Sequence, residues 1–357
     1  MKMKVLFHIG HPAHVHVFKH VIFSLISEGH EIEIVARKKE VSLDLLNSYG
    51  LPYRVIDYHS SSSVGKLTDL VRTDASMYRI VREKKPDLMI CIGLPSITHV
   101  GKLLGIPSVY ITDTEDAGLA NSAAAPFATI ICTPSCFLKN FGKKHIRFNG
   151  YKELAYLHPN YFKPDPFLLR DYHIDGPFII LRSISWKAHH DVGLSGIRDM
   201  KGLIGRLEKY GQVFITSEKE LPGEYDTYRI SVPPEKIHSL LYYSSLYIGE
   251  GGTMAAEAAV LGTPAIHIER NAQGVATGNF SGNFLELRDR YGLLYFFASQ
   301  DEALDKAVTL LNNPGLKEDW QKKRENLMRE KTDVTAWMKE FITRYPESLE
   351  KCRSSHV

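Results

Sequence analysis

Leu246-Tyr247-Ile248-Gly249-Glu250-Gly251-Gly252-Thr253-Met254-Ala255-Ala256-Glu257-Ala258-Ala259-Val260-Leu261-Gly262-Thr263-Pro264 decides how this chain is read. Leu246 to Ile248 is apolar and reads as a buried strand. It runs into adjacent glycines, then a helix-forming run from Met254 to Leu261, then Gly-x-Pro as a stop. Glycines between a strand and a helix let a ligand approach the backbone. The N–H groups and positive dipole of the helix start favour a phosphate there. Glu257 follows Thr253 by about one helical turn, so its carboxylate can face the same crevice and accept hydrogen bonds from sugar hydroxyls. The run is neither a P-loop, which needs Gly-Lys-Ser/Thr, nor Gly-x-Gly-x-x-Gly. An ordinary strand–turn–helix with a solvated Glu257 would share the local pattern.

The flanking sequence repeats the same alternation. Val5 to Ile9, Ile32 to Val35, Tyr53 to Ile56, Leu88 to Ile92, Ser108 to Ile111 and Thr129 to Cys132 read as strands, with helical segments between them, notably Lys66 to Lys84. A proline-bearing stretch, Tyr151 to Pro177, follows. Alternation restarts with Phe178 to Leu181, Gln212 to Ile215, Leu246 to Ile248 and Ala265 to Ile268. Helices are expected over Asp199 to Tyr210 and Ile237 to Tyr243, and the chain turns mainly helical after Asp301. This spacing predicts an α/β protein of two doubly wound, Rossmann-like domains facing a cleft, with a C-terminal helical tail. The expected divisions are 1–160 for an N-terminal Rossmann-like domain, 161–345 for a C-terminal one with the tail, and 346–357 for a flexible end.

Composition narrows the classes. A chain of 357 residues, 44% hydrophobic and 24% charged, accommodates two globular α/β domains. A net charge of +3 argues against extended nucleic-acid binding and allows a local basic patch. No run of about 18 apolar residues exists, so no transmembrane helix is expected. The N-terminus passes straight into a strand pattern and lacks the apolar core of a signal peptide. Four cysteines are few for this length and fit a reducing, cytoplasmic compartment.

In open α/β sheets, ligands bind outside the carboxyl ends of the strands. The loops there supply the candidates. After the first strand come Gly10 and His14. A histidine there can contact phosphate, accept a proton from a hydroxyl, or simply bond the helix start. The cluster of His8, His11, His14 and His16 matches no zinc template. After Ile111, the run Thr112-Asp113-Thr114-Glu115-Asp116 supplies Asp113 and Glu115 for acceptor binding or acid/base chemistry; the alternative is a solvated acidic turn. After Leu181, Arg182 can grip a diphosphate in a bidentate contact, with Ser183 and Lys187 beside it. Ser217 ends the next strand. Gly251, Gly252 and Thr253 are the expected phosphate turn. No metal ligand set and no cofactor is expected. Phe137 to Arg147 mixes apolar and basic residues, which allows a peripheral contact with the inner face of a membrane, although a loop beside a core strand has the same composition.

The glycine-rich run resembles the nucleotide-sugar signature of GT-B glycosyltransferases and of non-hydrolysing UDP-N-acetylglucosamine 2-epimerases. That resemblance implies phosphate binding by Gly251, Gly252 and Thr253, and ribose binding by Glu257. Aligned from Gly29 backwards, His14 is similar in place to the first-loop histidine of the N-acetylglucosaminyltransferase that makes lipid II. Glu115 with Ala117-Gly118-Leu119 resembles the epimerases' Glu-Ala-Gly-Leu run. Gly93-Leu94-Pro95 stands where those enzymes carry Gly-Asp-Thr, so one of their catalytic carboxylates is missing. His14-Val15-His16, Asp113-Thr114-Glu115, Gly150-Tyr151-Lys152-Glu153-Leu154-Ala155-Tyr156-Leu157-His158-Pro159 and Trp186-Lys187-Ala188-His189-His190-Asp191 together resemble an uncharacterised, mainly archaeal family, domain of unknown function 354, of the GT-B clan.

The expected activity is metal-independent transfer of a sugar from a nucleotide-sugar donor, UDP-linked, to an acceptor the sequence does not identify; a lipid-linked or polysaccharide precursor fits the class. The alternatives are a UDP-sugar 2-epimerase-like isomerase and a noncatalytic nucleotide-sugar-binding protein. His14, Asp113 and Glu115 are the catalytic candidates.

Overall fold

A computed structural model describes residues 2–39, 41–58, 63–184, 194–217 and 220–354. They form two compact units, Met1–Tyr156 with Thr332–Val357, and Leu157–Lys331.

The first unit begins β1 (Lys4–Ile9), α1 (Pro12–Ser27), β2 (Glu31–Ala36), α2 (Ser42–Ser48), β3 (Arg54–Val55) and α3 (Ser63–Lys84). It continues β4 (Leu88–Ile92), α4 (Ser96–Leu104), β5 (Ser108–Ile111), α5 (Gly118–Ala124), β6 (Ile130–Pro134) and β7 (His145–Phe148). All strand pairs are parallel, in the order β3-β2-β1-β4-β5-β6-β7. Burial on both faces explains the apolar runs Val5–Phe7 of β1 and Leu88–Ile92 of β4. Order reverses between β1 and β4, which opens a crevice at their carboxyl ends.

A short helix, α6 (Leu154–Leu157), leads to α7 (Leu168–Asp171) and the second unit. There follow β8 (Phe178–Ser183), α8 (Met200–Leu207), β9 (Gln212–Ser217), α9 (Ile237–Tyr243), β10 (Leu246–Gly249) and α10 (Gly252–Leu261). Then come β11 (Ala265–Ile268), α11 (Gly282–Asp289), β12 (Leu294–Phe297), α12 (Gln300–Leu311) and α13 (Leu316–Glu330). The five parallel strands lie in the order β12-β11-β10-β8-β9, so this sheet reverses between β8 and β10. The α10 helix is buried from Ala255 to Leu261, and its alanine-rich sequence suits a helix packed on every side.

Two further helices, α14 (Val334–Thr343) and α15 (Glu347–Ser354), close the chain. Residues 332–345, grouped with the second half on sequence grounds, pack with the first unit. Trp337 lies 4.9 Å from the Phe148 ring, and the Thr335 hydroxyl donates to the Ala155 carbonyl at 2.7 Å. Gly150 permits this return, since a Cβ there would meet Val334 Cγ2 at 2.6 Å. Glu347–Ser354, expected as a flexible end, is helical.

Two strands escape the sequence reading, β7 and β12. The β7 strand is an edge strand that alternates buried and half-buried residues. Two basic side chains in and beside it bond main-chain carbonyls. Arg147 donates to the carbonyls of Ser135, Phe137 and Lys139, and Lys144 Nζ to those of Ala125 and Pro126. Among the described residues, no helix is long and apolar enough to cross a membrane.

Candidate functional site

In the second unit, the expected residues gather at the carboxyl ends of β9, β8 and β10, where the strand order reverses. The register sets Arg182 between Gly249 and Thr216, and Ser183 beside Ser217. Gly249 is demanded by crowding: a Cβ there would lie 2.4 Å from the Arg182 carbonyl oxygen and 2.6 Å from its nitrogen. Gly251 follows with φ 85°, a conformation that side-chain-bearing residues avoid. It caps α10 without any side-chain hydrogen bond to the first turn. The helix therefore opens on backbone N–H groups of the kind that bind phosphate.

Arg182 and Thr253 are half-buried here. The Ser183 hydroxyl turns inward and donates to Glu250 Oε2 at 3.3 Å. Glu257 is buried one turn into α10, and its Oε1 lies 3.0 Å from His238 Nε2 of α9. The sequence reading, which expects only a helix over Ile237 to Tyr243, gives His238 no role. Only packing of α9 on α10 reveals the pair. Trp186, Lys187, His189, His190, Asp191 and Glu218 lie outside the described residues.

His267, the penultimate residue of β11, pairs with Gly249, also unforeseen. It is buried, and its Nδ1 has no hydrogen-bond partner. The Phe284 ring stands edge-on to it at 5.2 Å and also packs toward Gly252, where a Cβ would sit 3.4 Å from Phe284.

In the first unit, the β1–α1 junction is built on histidines. Pro12 fits the first helical turn, and His11 caps it by accepting from the Ala13 N–H at 3.1 Å. His14 Nδ1 accepts from the Gly10 N–H at 3.2 Å. Burial, and then the charges of His11, Lys152, His8 and Lys39, hold the His14 pKa well below the usual histidine value. His14 is therefore neutral near pH 7. With Nδ1 occupied as an acceptor, the ring proton belongs on Nε2, which makes that atom a hydrogen-bond donor. His8 is buried with neither ring nitrogen bonded, and burial first, then the Arg37 charge, lowers its pKa to about 3.

Asp113 and Glu115 differ in environment. Asp113 Oδ2 is 2.6 Å from Lys152 Nζ, and both side chains are mostly buried. Lys152 also stands 3.7 Å from the buried Glu153 carboxylate. Lys152 thus joins the Asp113 strand end to the His14 environment, a link that the intervening chain, residues 114–151, concealed. Glu115 is fully enclosed. Its Oε1 accepts from the Leu138 N–H at 3.0 Å, and its carbonyl accepts from Lys139 Nζ at 2.7 Å, so it anchors the β6–β7 connection. Asn121 steadies the acidic loop, accepting from the Tyr110 hydroxyl at 3.0 Å and donating to the Thr114 carbonyl at 3.0 Å.

Among the described residues, no group of three or more His, Cys, Asp or Glu side chains is placed to hold a metal ion. A cavity of about 270 Å³ opens elsewhere, beside Asp74, Tyr78, His99 and Leu103 of α3 and α4, and none of the expected site residues lines it.

The family model described as "Protein of unknown function (DUF354)" matches residues 3–276. The chain belongs to this family. The uncharacterized protein MJ0665 of Methanocaldococcus jannaschii is 27% identical over 285 residues, covering 74% of this chain and 82% of that protein. The UDP-GlcNAc 2-epimerase of Neisseria meningitidis, solved bound to UDP-GlcNAc, is similar in structure with a TM-score of 0.63 and 12% identity. The match covers 89% of this chain and 94% of that one. Spinosyn forosaminyltransferase SpnP gives a TM-score of 0.62 at 15% identity, over 99% of this chain and 100% of that one. These likenesses establish the GT-B fold: two parallel sheets with flanking helices, followed by C-terminal helices.

Proposed function

We propose that this DUF354 protein is a metal-independent glycosyltransferase that takes a sugar from a UDP-linked donor. The observation that carries the reading is the Gly249–Thr253 turn at the β8/β10 reversal, which opens α10 without a side-chain cap. In this reading the diphosphate sits on the first N–H groups of α10, Arg182 neutralises it, and Glu257 accepts from the ribose. Fixed dipoles and a guanidinium stabilise the leaving diphosphate as its charge develops, the largest electrostatic task in such a transfer. Ser217 and Lys187 complete the donor-binding set. In the first unit, Gly10, His14 and Asp113 bind the acceptor, with His14 Nε2–H donating to an oxygen and Lys152 orienting Asp113. Glu115 shapes that loop through its bonds to Leu138 and Lys139.

An isomerase on the nucleotide sugar alone is the second reading, favoured by the likeness to the epimerase solved with UDP-GlcNAc. Against it stands the β4 strand end, Gly93-Leu94-Pro95, which offers no carboxylate. A thermal-shift screen of nucleotide sugars tests binding first, because a ligand at about 100 times its Kd adds roughly 2.7 kcal/mol of stability. Incubating the selected donor alone then separates the readings: an isomer of the sugar identifies an epimerase. A transferase forms no new isomer and makes product only with an acceptor, undiminished by EDTA. Binding with no turnover under either condition would instead indicate a nucleotide-sugar sensor.

A further inference from the structure

Glu250 stands immediately before the glycine pair and is 2% exposed. Its Oε2 accepts from the Ile184 N–H at 2.9 Å and the Ser183 hydroxyl at 3.3 Å, while Oε1 accepts from the Ile197 N–H at 2.7 Å. Its main chain is equally fixed. The Glu250 N–H donates to the Arg182 carbonyl at 3.0 Å, and the Tyr247 hydroxyl donates to the Glu250 carbonyl at 2.9 Å. One buried carboxylate thus ties the end of β8 and the distant Ile197 to the start of α10. Ile184 also touches the turn itself, since a Cβ on Gly251 would meet Ile184 Cγ2 at 3.0 Å. The Ile197 side has its own supports: Ser195 and Arg270 exchange main-chain hydrogen bonds at 3.0 and 2.9 Å, and Gln300 Oε1 accepts from the N–H groups of Arg198 and Asp199.

This is an unusual place for a negative charge. A carboxylate one residue before a phosphate turn opposes anion binding, and burying it carries a desolvation cost. Three donors converge on it, and the positive end of α10 lies next to it, which together satisfy the ionised form. A side chain that only filled space would not need an acceptor in that position.

We propose that Glu250 is a positioning residue of the donor site. It holds Ile184 and Ile197 against the turn, and thereby keeps Arg182 and Ser183 beside Gly251 and Gly252. The proposal rests on reading that turn as the site of the donor's diphosphate. Glu250→Gln tests it in the full-length protein, because the amide matches the shape but directs an N–H₂ group at a backbone N–H. Amide exchange at Ile184 and Ile197 reports the stems, and calorimetric titration with UDP reports the site. We expect faster exchange at both amides and UDP affinity about tenfold lower, the scale of a lost hydrogen bond to a charged group. Removing the charge would by itself strengthen phosphate binding, so unchanged or higher affinity overturns the proposal, as does unchanged exchange. Glu250→Asp, which keeps the charge and shortens the reach, should also lose affinity. Wild-type affinity in that variant would show that reach is irrelevant and would likewise overturn it. If the wild type binds no nucleotide, the donor-site reading falls instead, and the exchange data still decide whether Glu250 fixes the two stems.

Discussion

Glu257 Oε1 and His238 Nε2 are 3.0 Å apart in the second unit, both below one-tenth exposed. The carboxylate accepts and the imidazole N–H donates, so His238 orients the carboxylate proposed above to bind the ribose. Loss of a hydroxyl contact to this carboxylate should cost about 1.5–3 kcal/mol, or roughly ten- to a hundredfold in affinity. Glu257→Gln should weaken UDP binding partly and Glu257→Ala more. The alanine variant should also be less stable by about 1–3 kcal/mol, because it strands the buried His238 donor. The affinity loss should shrink for a ligand lacking both ribose hydroxyls. Calorimetric titration and denaturant unfolding measure the two effects separately; equal affinity in all three proteins would make Glu257 a structural residue.

His14 should act as a neutral donor. Its Nδ1 is engaged by Gly10 and its pKa is held well below the usual value, first by burial. His14→Ala should lower turnover far more than melting temperature. His14→Gln, which keeps an N–H donor, should retain more turnover than alanine. A pH–rate profile adds a second check: protonation of His14 should produce no falling limb between pH 6 and 7, because the folded pKa lies below that window. A limb in that range that disappears in His14→Gln would instead mark His14 as a base.

The acid stability of the fold follows from the same burial. The pKa of His8 is lowered to about 3 and that of His20 to about 4, each mainly by burial, and that of His14 is lowered as well. An unfolded chain protonates these rings near pH 6.5, whereas the folded chain does not until the lower values. Below pH 6.5 the unfolded state therefore binds more protons, and stability falls as pH falls. The sign is the same for each ring, and for the fully buried His8 the slope approaches about 1.4 kcal/mol per pH unit between the two values. His99 works the other way. Its bond to Asp74 raises its pKa, so its contribution is complete below pH 6.5 and disappears as pH rises through the folded value. Urea unfolding between pH 4.5 and 7.5 should show a net loss on acidification. His8→Leu should flatten that slope and raise stability near pH 7, since neither ring nitrogen has a partner to lose.

The alternation of strand and helix made most of the strands legible, because parallel strands buried on both faces leave uninterrupted apolar runs such as Leu88–Ile92. The edge strand β7 lacks that signature: His145 and Arg147 occupy its half-buried positions and disguise it as a basic loop. The strand–turn–helix around Gly249 to Gly252 was legible because glycine needs there are local. The Lys152–Asp113 and Glu250–Ile197 contacts were not, since they depend on which strand ends the topology brings together. Glu115 illustrates the same limit. An acidic run after a strand suggested chemistry, and only the connection to Leu138 and Lys139 reveals its enclosed setting. The return of α14 to the first unit depended on a close approach at Gly150, which sequence periodicity does not encode.

Three glycines should respond to alanine in opposite senses. Gly249→Ala sets a Cβ 2.4 Å from the Arg182 carbonyl oxygen, and both groups belong to paired strands that cannot separate without breaking the β8–β10 ladder. The variant should lose several kcal/mol, on the scale of severe core overpacking, and should fail to fold at raised temperature. Gly251→Ala meets Ile184 at 3.0 Å and must adopt φ 85°, which costs about 1–3 kcal/mol, so it should fold with a lower melting temperature. It should also weaken UDP binding, because relieving the strain moves the first N–H groups of α10. Gly205 is the control. It is exposed within α8, and an added Cβ meets nothing within 4 Å. Alanine there should stabilise the protein by about 0.5–1 kcal/mol through helix propensity, with UDP affinity unchanged. Calorimetric melting of the three variants, followed by UDP titration of those that fold, measures both effects. A Gly251→Ala protein with lowered stability and wild-type UDP affinity would remove the turn from the donor site while leaving its structural role intact.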